Sequence, residues 1–527
     1  MHWRGLDRYK TDFILIGIVL FCALLLNLSF VAVSGVPLKY QLSSDAFVHT
    51  VHWSEFSGSY EGNFVNDTMF QNNRSWPTGQ LFIDNVFVQI GDFFGVGVLD
   101  WSIFISAVSL VLFLVGVYAL VLYTTRNRAL AFSIALVSCI PVISLGLSGW
   151  GFLVKGFVPK ELGLGIIVWL LFLYFKGVEE GSRTKFILFF AALGLFSNWY
   201  PVIFFHVAAI VLFAEVIRTR SIKLEFILYG VVFLAASPLA IYDVLFRIGQ
   251  FSPPNPAIVM EHYTEVLHSW SYLLLHYLRK QIIYVVLVLG LWAWCQRKKI
   301  LPPSPALSVW MALWWSTLIL SLIGVVLEFT PLAKYLLARA SVWFYLSSMV
   351  LVGTYAYALF VARFGSALRM KVLFVLVLSI ILCAQTSVLN VLEGLKDGYK
   401  ESTDTKQLIS VLAQFEGIIP PQSMVLANPD GEANLVRAYG NRSTYVARKD
   451  GNVALYDGAA ADQWFARYHE VRDVLETKDC VAFADYGKAH DLQYGLLDMT
   501  DFTEGVASCE KRALLRSGKY ALVQFYE

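Results

Sequence analysis

The sequence predicts a polytopic α-helical membrane protein with about 11 transmembrane helices and a soluble α/β domain at its C-terminus. Three observations carry this. Of 527 residues, 57% are hydrophobic and only 15% are charged, more apolar surface than a soluble chain of this length needs. Many runs reach the roughly 18–20 apolar residues required to cross a hydrocarbon core of about 30 Å. From about residue 395 the long runs stop, and short apolar segments alternate with helical patterns. The net charge of +2 offers no solvated basic face, which sets nucleic acid aside as a partner.

Arg4, Arg8 and Lys10 assign the N-terminus to the cytoplasm by the positive-inside rule. The run 12–34 is too long for a signal-peptide core and reads as a signal anchor. It delivers a long polar loop, 35–98, to the extracytoplasmic side. Runs 99–123, 129–150 and 158–175 follow, with Arg126, Arg128 and Lys176 at cytoplasmic ends. The region 186–216 has basic residues on both flanks, so it reads as two short helices, 186–197 and 202–216. Their break falls at Asn198-Trp199-Tyr200-Pro201, because proline disfavours helix at the residue before it. Each would be only about 18–24 Å long, which leaves the polar turn inside a cavity where irregular backbone is tolerated. Runs 222–246, 271–295, 307–327, 335–361 and 372–392 complete the count and bring the tail to the side of the first loop. The expected division is a membrane domain, 1–394, containing the 35–98 loop, and an extracytoplasmic α/β domain, 395–527, on a multi-pass protein of the plasma (cell inner) membrane.

In the tail, 423–427, 444–447, 480–484 and 520–526 read as strands and 461–476 as a helix. Of six cysteines, Cys22, Cys139, Cys295 and Cys383 lie in apolar runs, and no C-x-x-C pair suggests a zinc or thioredoxin-type site. Cys480 and Cys509 share the tail, where oxidation could join them. Two separate thiols is the slightly favoured reading, since Cys480 opens an apolar strand.

The residues that could carry chemistry cluster at the outer boundary. Asp45 lies just beyond the first span, where a carboxylate can meet a lipid headgroup and act as general base on a hydroxyl; taken alone it would be a solvated loop acid. His49 and His52 share a face with it if the segment is helical. No cofactor is required; a divalent metal on Asp45, His49 and His52 is the less favoured alternative to three polar side chains on the wet face of an amphipathic helix. Lys155, Lys160 and Glu161 occupy the second outer loop, either as snorkelling side chains or as a phosphate clamp and an assisting acid. Arg339 lies five residues past Lys334 in an apolar helix, a depth that favours a protein or water-filled surrounding and suits bidentate phosphate binding. His262 stands in a proline-rich outer loop that could contact a polyprenyl chain and reads equally as a plain surface loop.

No P-loop, no G-x-G-x-x-G after a strand and no G-x-S-x-G is present, and the cytoplasmic loops are short. The substrate is therefore expected already activated and membrane-borne. SSDAFVH after the first span, PKE in the second outer loop, the broken helix at NWYP and the arginine in LLARASVWFY together resemble the GT-C superfamily of integral membrane glycosyltransferases. That resemblance implies a polyprenyl-phosphate- or polyprenyl-diphosphate-linked sugar donor, with a glycan, lipid or protein acceptor. It implies Asp45 as base, Arg339 as donor-phosphate ligand, and Lys160 and Glu161 as secondary site residues. The tail has no WWDYG, and Asp45 is followed by Ala46 rather than an acid, so no subfamily is implied. The alternatives are a transporter or flippase of a lipid-linked substrate, or a non-catalytic membrane scaffold.

Overall fold

The computed structural model describes residues 3–41, 44–57, 64, 67, 78–143, 149–243, 255, 258, 279–302, 304–327, 337–365, 367, 374–375, 378, 403–455 and 457–526. Helix α1 (Trp3–Ser34) contains the anchor run. The first loop contributes α2 (Ser44–Phe56) and α3 (Thr78–Phe93). Helix α4 (Val98–Thr125) then crosses and ends on Arg126 in the left-handed conformation, φ 54°. Asn127 starts α5 (Arg128–Val137) by accepting the Leu130 N–H.

The expected span 129–150 is corrected here. Helix α5 has ten residues, about 15 Å at 1.5 Å per residue. Pro141, which cannot continue a helix, then turns the chain into an antiparallel pair, β1 (Val142–Ile143) and β2 (Gly149–Trp150). The Trp150 indole donates to Ser138 Oγ at 2.9 Å and holds the segment folded back.

Helix α6 (Pro159–Glu180) opens with proline at its first position, where the missing N–H is not needed. The expected break at NWYP is present, between α7 (Arg183–Ser197) and α8 (Pro201–Thr219). At 19 residues α8 is longer than expected and long enough to cross alone. The run 222–246 is not continuous: α9 (Leu224–Ala235) stops before Ser237-Pro238, and α10 (Pro238–Tyr242) follows. Helices α11 (Arg279–Arg297), α12 (Pro305–Leu327) and α13 (Ser341–Phe364) complete the membrane part. Among the described residues, six helices are long and apolar enough to cross a membrane: 10–33 within α1, α4, α6, α8, 305–324 within α12, and α13. Three more apolar helices are shorter, α5, α9 and 281–297 of α11. Most of the expected run 372–392 lies outside the described residues.

A half-buried carboxylate, Asp12, and a buried one, Glu215, pin the ends that the positive-inside rule assigns to the cytoplasm. Asp12 on α1 accepts from Arg128 at 2.6 and 2.9 Å and from Tyr118 at 2.8 Å. Glu215 on α8 accepts from Tyr174 on α6 at 2.6 Å and from Arg218 at 2.6 and 3.1 Å.

The tail begins with helical residues 403–412 (α14) and α15 (Phe415–Ile418). Strand β3 (Met424–Leu426), α16 (Ala433–Gly440), β4 (Ser443–Thr444), α17 (Gly458–Glu476), α18 (Cys480–Ala489), β5 (Tyr494–Asp498), α19 (Val506–Glu510), β6 (Ala513–Ser517) and β7 (Tyr520–Gln524) follow. The sheet order is β4-β3-β5-β7-β6, with β3 parallel to β4 and β5, and β7 antiparallel to β5 and β6. Central β5 is buried at every position, whereas edge strand β6 alternates. Strands β3 and β7 and helix α17 match expectation; β5 and β6 were not expected, and 444–447 shrinks to β4. Residues 480–484 are helical, not extended, because Asp479 accepts the Val481 N–H at 2.8 Å and starts α18. Cys480 and Cys509 form a disulfide, which corrects the favoured reading of two thiols.

Candidate active site

Helix α2 carries Asp45, His49 and His52 at spacings that put them on one face, as expected. The surroundings of the two histidines differ from expectation. His52 is fully buried and His49 nearly so, along with Ala46, Val48, Val51 and Trp53. At the two histidines the helix is covered, because α3, α4 and the tail all pack on it. Thr50 Oγ1 meets Ser102 Oγ of α4 at 3.2 Å. The same Ser102 hydroxyl accepts the Phe157 N–H at 2.8 Å, tying α2 to the loop before α6.

Beneath α2 lies an aromatic cluster drawn from four separate segments. Trp53 stacks on Phe157 at 4.8 Å between ring centres, and Phe157 lies nearly parallel to Trp199 of the NWYP turn at 6.2 Å. Phe87 of α3 meets Phe157 edge-on at 5.6 Å and Trp199 at 6.2 Å. Asn198 locks the turn to the next break: its amide donates to Ala236 O at 2.8 Å and accepts from Leu239 N at 2.8 Å and Ala240 N at 3.2 Å.

Asp84 of α3 is sealed within this cluster. Burial pushes its carboxyl up to about 7, and the side chains of Trp199, Trp53 and Gln80 pull the other way. None of these donors makes a close, well-aligned hydrogen bond to it. Its Oδ2 is 4.0 Å from His49 Nδ1, which also meets Gln80 Nε2 at 3.4 Å. Burial, helped by the charges of His49 and Arg437, lowers His52 to about 3. Asp84 lies in the 35–98 loop, where sequence reasoning singled out only Asp45, His49 and His52. The signal was Gln80, Asp84 and Val88 at intervals of four, all buried, with Phe82, Val86, Ile90 and Phe93 exposed on the other side.

The second outer loop meets the same region. Val158 packs with Ala46, the residue after Asp45. Glu161 sits in the first turn of α6, where a carboxylate is favoured by the helix dipole. It is 8% exposed and accepts from Ser106 Oγ at 3.4 Å. Lys160 is half-buried beside it. Lys155 is half-buried too, and desolvation lowers its ammonium from the usual range.

Arg339 lies in a 3-10 turn, Leu337–Ala340, two residues ahead of α13. The expectation of an arginine a turn deep in a helix is corrected: the helix starts after it. The turn packs against α8 and α12. Arg339 is half-buried, and its Nε is enclosed with no hydrogen-bond partner among the described residues. Lys334 and His262 lie outside the described residues. The structure thus brings together Asp45 (by its neighbour Ala46), His49, His52 and the stretch before Glu161. It records no contact of Arg339 with this group. Among the described residues, no three carboxylate, imidazole or thiolate groups are placed to hold a metal ion.

The tail supplies the remaining wall. Val48, Val51 and Phe64 pack with Ala438 of α16. Tyr439 packs against the pair Ala46 and Val158, as do Leu99 and Ile103, and meets Tyr40 edge-on at 5.3 Å.

No family model matches the chain, and no curated protein matches it in sequence. Solved structures do. Archaeal oligosaccharyltransferase AglB from Archaeoglobus fulgidus, in complex with an inhibitory peptide and a dolichol-phosphate, is 10% identical with a TM-score of 0.45, over 93% of this chain and 70% of that one. The Archaeoglobus fulgidus oligosaccharyltransferase in complex with Zn and sulfate gives 10% and 0.44, over 92% and 68%. Its apo form gives 10% and 0.45, over 93% and 69%.

Proposed function

We propose that this chain is a membrane glycosyltransferase that moves a sugar from a polyprenyl-phosphate- or polyprenyl-diphosphate-linked donor to an acceptor hydroxyl on the extracytoplasmic face. The observation that carries the reading is the convergence of three distant sequence motifs. The helix bearing Asp45, the loop leading into Pro159-Lys160-Glu161 and the NWYP turn all contribute to one buried cluster through Trp53, Phe157 and Trp199. A floor built this way holds the Asp45 helix rigidly, as a general base requires. Arg339, with an enclosed Nε lacking a protein partner among the described residues, suits a waiting anion ligand. The Cys480–Cys509 bond suits an oxidising compartment, and the tail packs directly on the first loop, so both belong on that side. The domain boundary near residue 395 belongs to the same reading.

In this mechanism the lipid phosphate leaves the anomeric carbon as the acceptor oxygen attacks from the opposite side. Asp45 takes the hydroxyl proton, and Arg339, with Lys160 or Lys155, stabilises the charge on the departing phosphate. A single in-line displacement inverts the anomeric carbon. The test is glycan transfer in membranes lacking the native protein. Asp45→Asn removes a charge and keeps the shape, so it is expected to abolish transfer and spare donor binding. Arg339→Ala is expected to weaken donor binding about ten- to hundredfold, the range for loss of a charged hydrogen bond. Full transfer by Asp45→Asn overturns the assignment of the base.

A further inference from the structure

One charged cluster ties the tail to the first loop. Arg437 of α16 is 1% exposed. Its Nε and Nη2 donate to the two oxygens of Asp67 at 2.8 and 2.9 Å, and its Nη1 and Nη2 donate to the two oxygens of Asp450 at 2.6 and 2.8 Å. Backbone groups complete the set. Thr444 N donates to Asp67 at 3.0 Å, and Ala447 N donates to Asp450 at 2.9 Å. Asp67 is fully enclosed. A buried ion triad of this kind contributes little net stability over a well-packed apolar set, and its best-attested use is to fix registry. What it registers here is specific: the two residues that follow Arg437 pack at α2, Ala438 against the cluster of Val48, Val51 and Phe64, and Tyr439 against that of Ala46 and Val158.

We infer that Asp67 and Arg437 are positioning residues: by clamping α16 to the first loop they set the placement of α2 and of the base it carries. The inference rests on the glycosyltransferase reading. It makes the tail part of the catalytic apparatus without any tail residue touching the reacting atoms. Asp67 is the informative position, because replacing it breaks the link between loop and tail and leaves the Arg437–Asp450 pair inside the tail. In Asp67→Asn an amide N–H faces guanidinium N–H donors, so the bidentate pairing is lost.

The experiment pairs hydrogen–deuterium exchange of the full chain in detergent with transfer kinetics. For Asp67→Asn we expect the α2 amides to exchange at least about tenfold faster while β5 and β7 keep their protection. We expect kcat to fall about ten- to hundredfold, the scale of a 1 Å misplacement, with the donor KM within about twofold. Asp67→Glu restores the carboxylate and is expected to recover most of both. Unchanged exchange in α2, or a rise in KM with kcat intact, overturns the inference. The Cys480–Cys509 bond, read on a non-reducing gel, reports whether the tail has folded. Its loss in Asp67→Asn would make the clamp a folding requirement and would also overturn the positioning role. If the unaltered protein shows no transfer, the glycosyltransferase reading fails, and exchange in α2 still decides whether the clamp orders that helix.

Discussion

Gly79 lies against the backbone carbonyl of Asn198, so closely that a Cβ at position 79 would come within 1.8 Å of that oxygen. The contact seats the start of α3 on the NWYP turn. An alanine there cannot be absorbed by rotating a flexible side chain, because the opposing atom is backbone. Gly79→Ala is expected to cost about 1–3 kcal/mol, the range for overpacking, and to lower the midpoint of thermal unfolding. Gly230 of α9 has nothing within 4 Å of its would-be Cβ. Gly230→Ala, which favours helix by up to about 1 kcal/mol, is expected to leave the midpoint unchanged or raised. Equal behaviour of the two variants, followed by intrinsic fluorescence in detergent, would refute the contact.

Asp84 and His52 make opposite demands on protons. Asp84 is raised from 3.8 to about 7 on folding, so it stabilises the fold at low pH and loses that contribution as pH climbs from about 4 through 7. His52 is lowered from 6.5 to about 3, so its contribution is intact above pH 6.5 and is lost as pH falls toward 3. Between roughly pH 4 and 6.5 these two slopes offset each other. Relative to the unaltered protein, Asp84→Asn removes the falling slope, so its stability should gain with rising pH across that window. His52→Gln removes the rising slope, so on the same comparison its stability should lose with rising pH. Each slope approaches about 1.4 kcal/mol per pH unit. Unfolding midpoints measured every half pH unit check the signs; two variants with the same sign would refute the assignment.

The tail disulfide closes a loop with a sequence separation of 29 between Cys480 and Cys509. Replacing both cysteines with alanine is expected to destabilise the tail by about 2–4 kcal/mol, read as a lower denaturant midpoint. The proposed extracytoplasmic placement of the tail has its own test. A reporter enzyme active only outside the cytoplasm, fused after Glu527, is expected to be active, and an inactive fusion at normal expression would reverse the proposed topology.

The parts legible in the sequence were those governed by local chemistry. Pro201 announced the break between α7 and α8, and the intervals between Asp45, His49 and His52 announced a shared helical face. The burial of that face was not legible, because it depends on α16, nearly 400 residues later in the chain. The failure at 129–150 has the same character. The residues are apolar enough to span, yet a Trp150–Ser138 hydrogen bond and Pro141 fold them back. Residues 480–484 are five residues of mostly apolar character that suit a strand or a helix equally; the cap supplied by Asp479 decided the matter. Arg437 was missed because a single arginine in a polar tail carries no mark of its distant partner.

The Asp67–Arg437 pair also sets a schedule. Its members are 370 residues apart in sequence, so at about 5–20 residues per second the ribosome delivers the arginine roughly 20–75 s after the aspartate. In the proposed topology the first loop spends that interval across the membrane without its α16 partner. Helix α2 therefore reaches its final arrangement only after most of the chain has been synthesised. If the proposed function holds, a truncated or stalled product would carry the membrane helices and Asp45 yet lack the clamp that positions them, and is expected to be inactive in transfer.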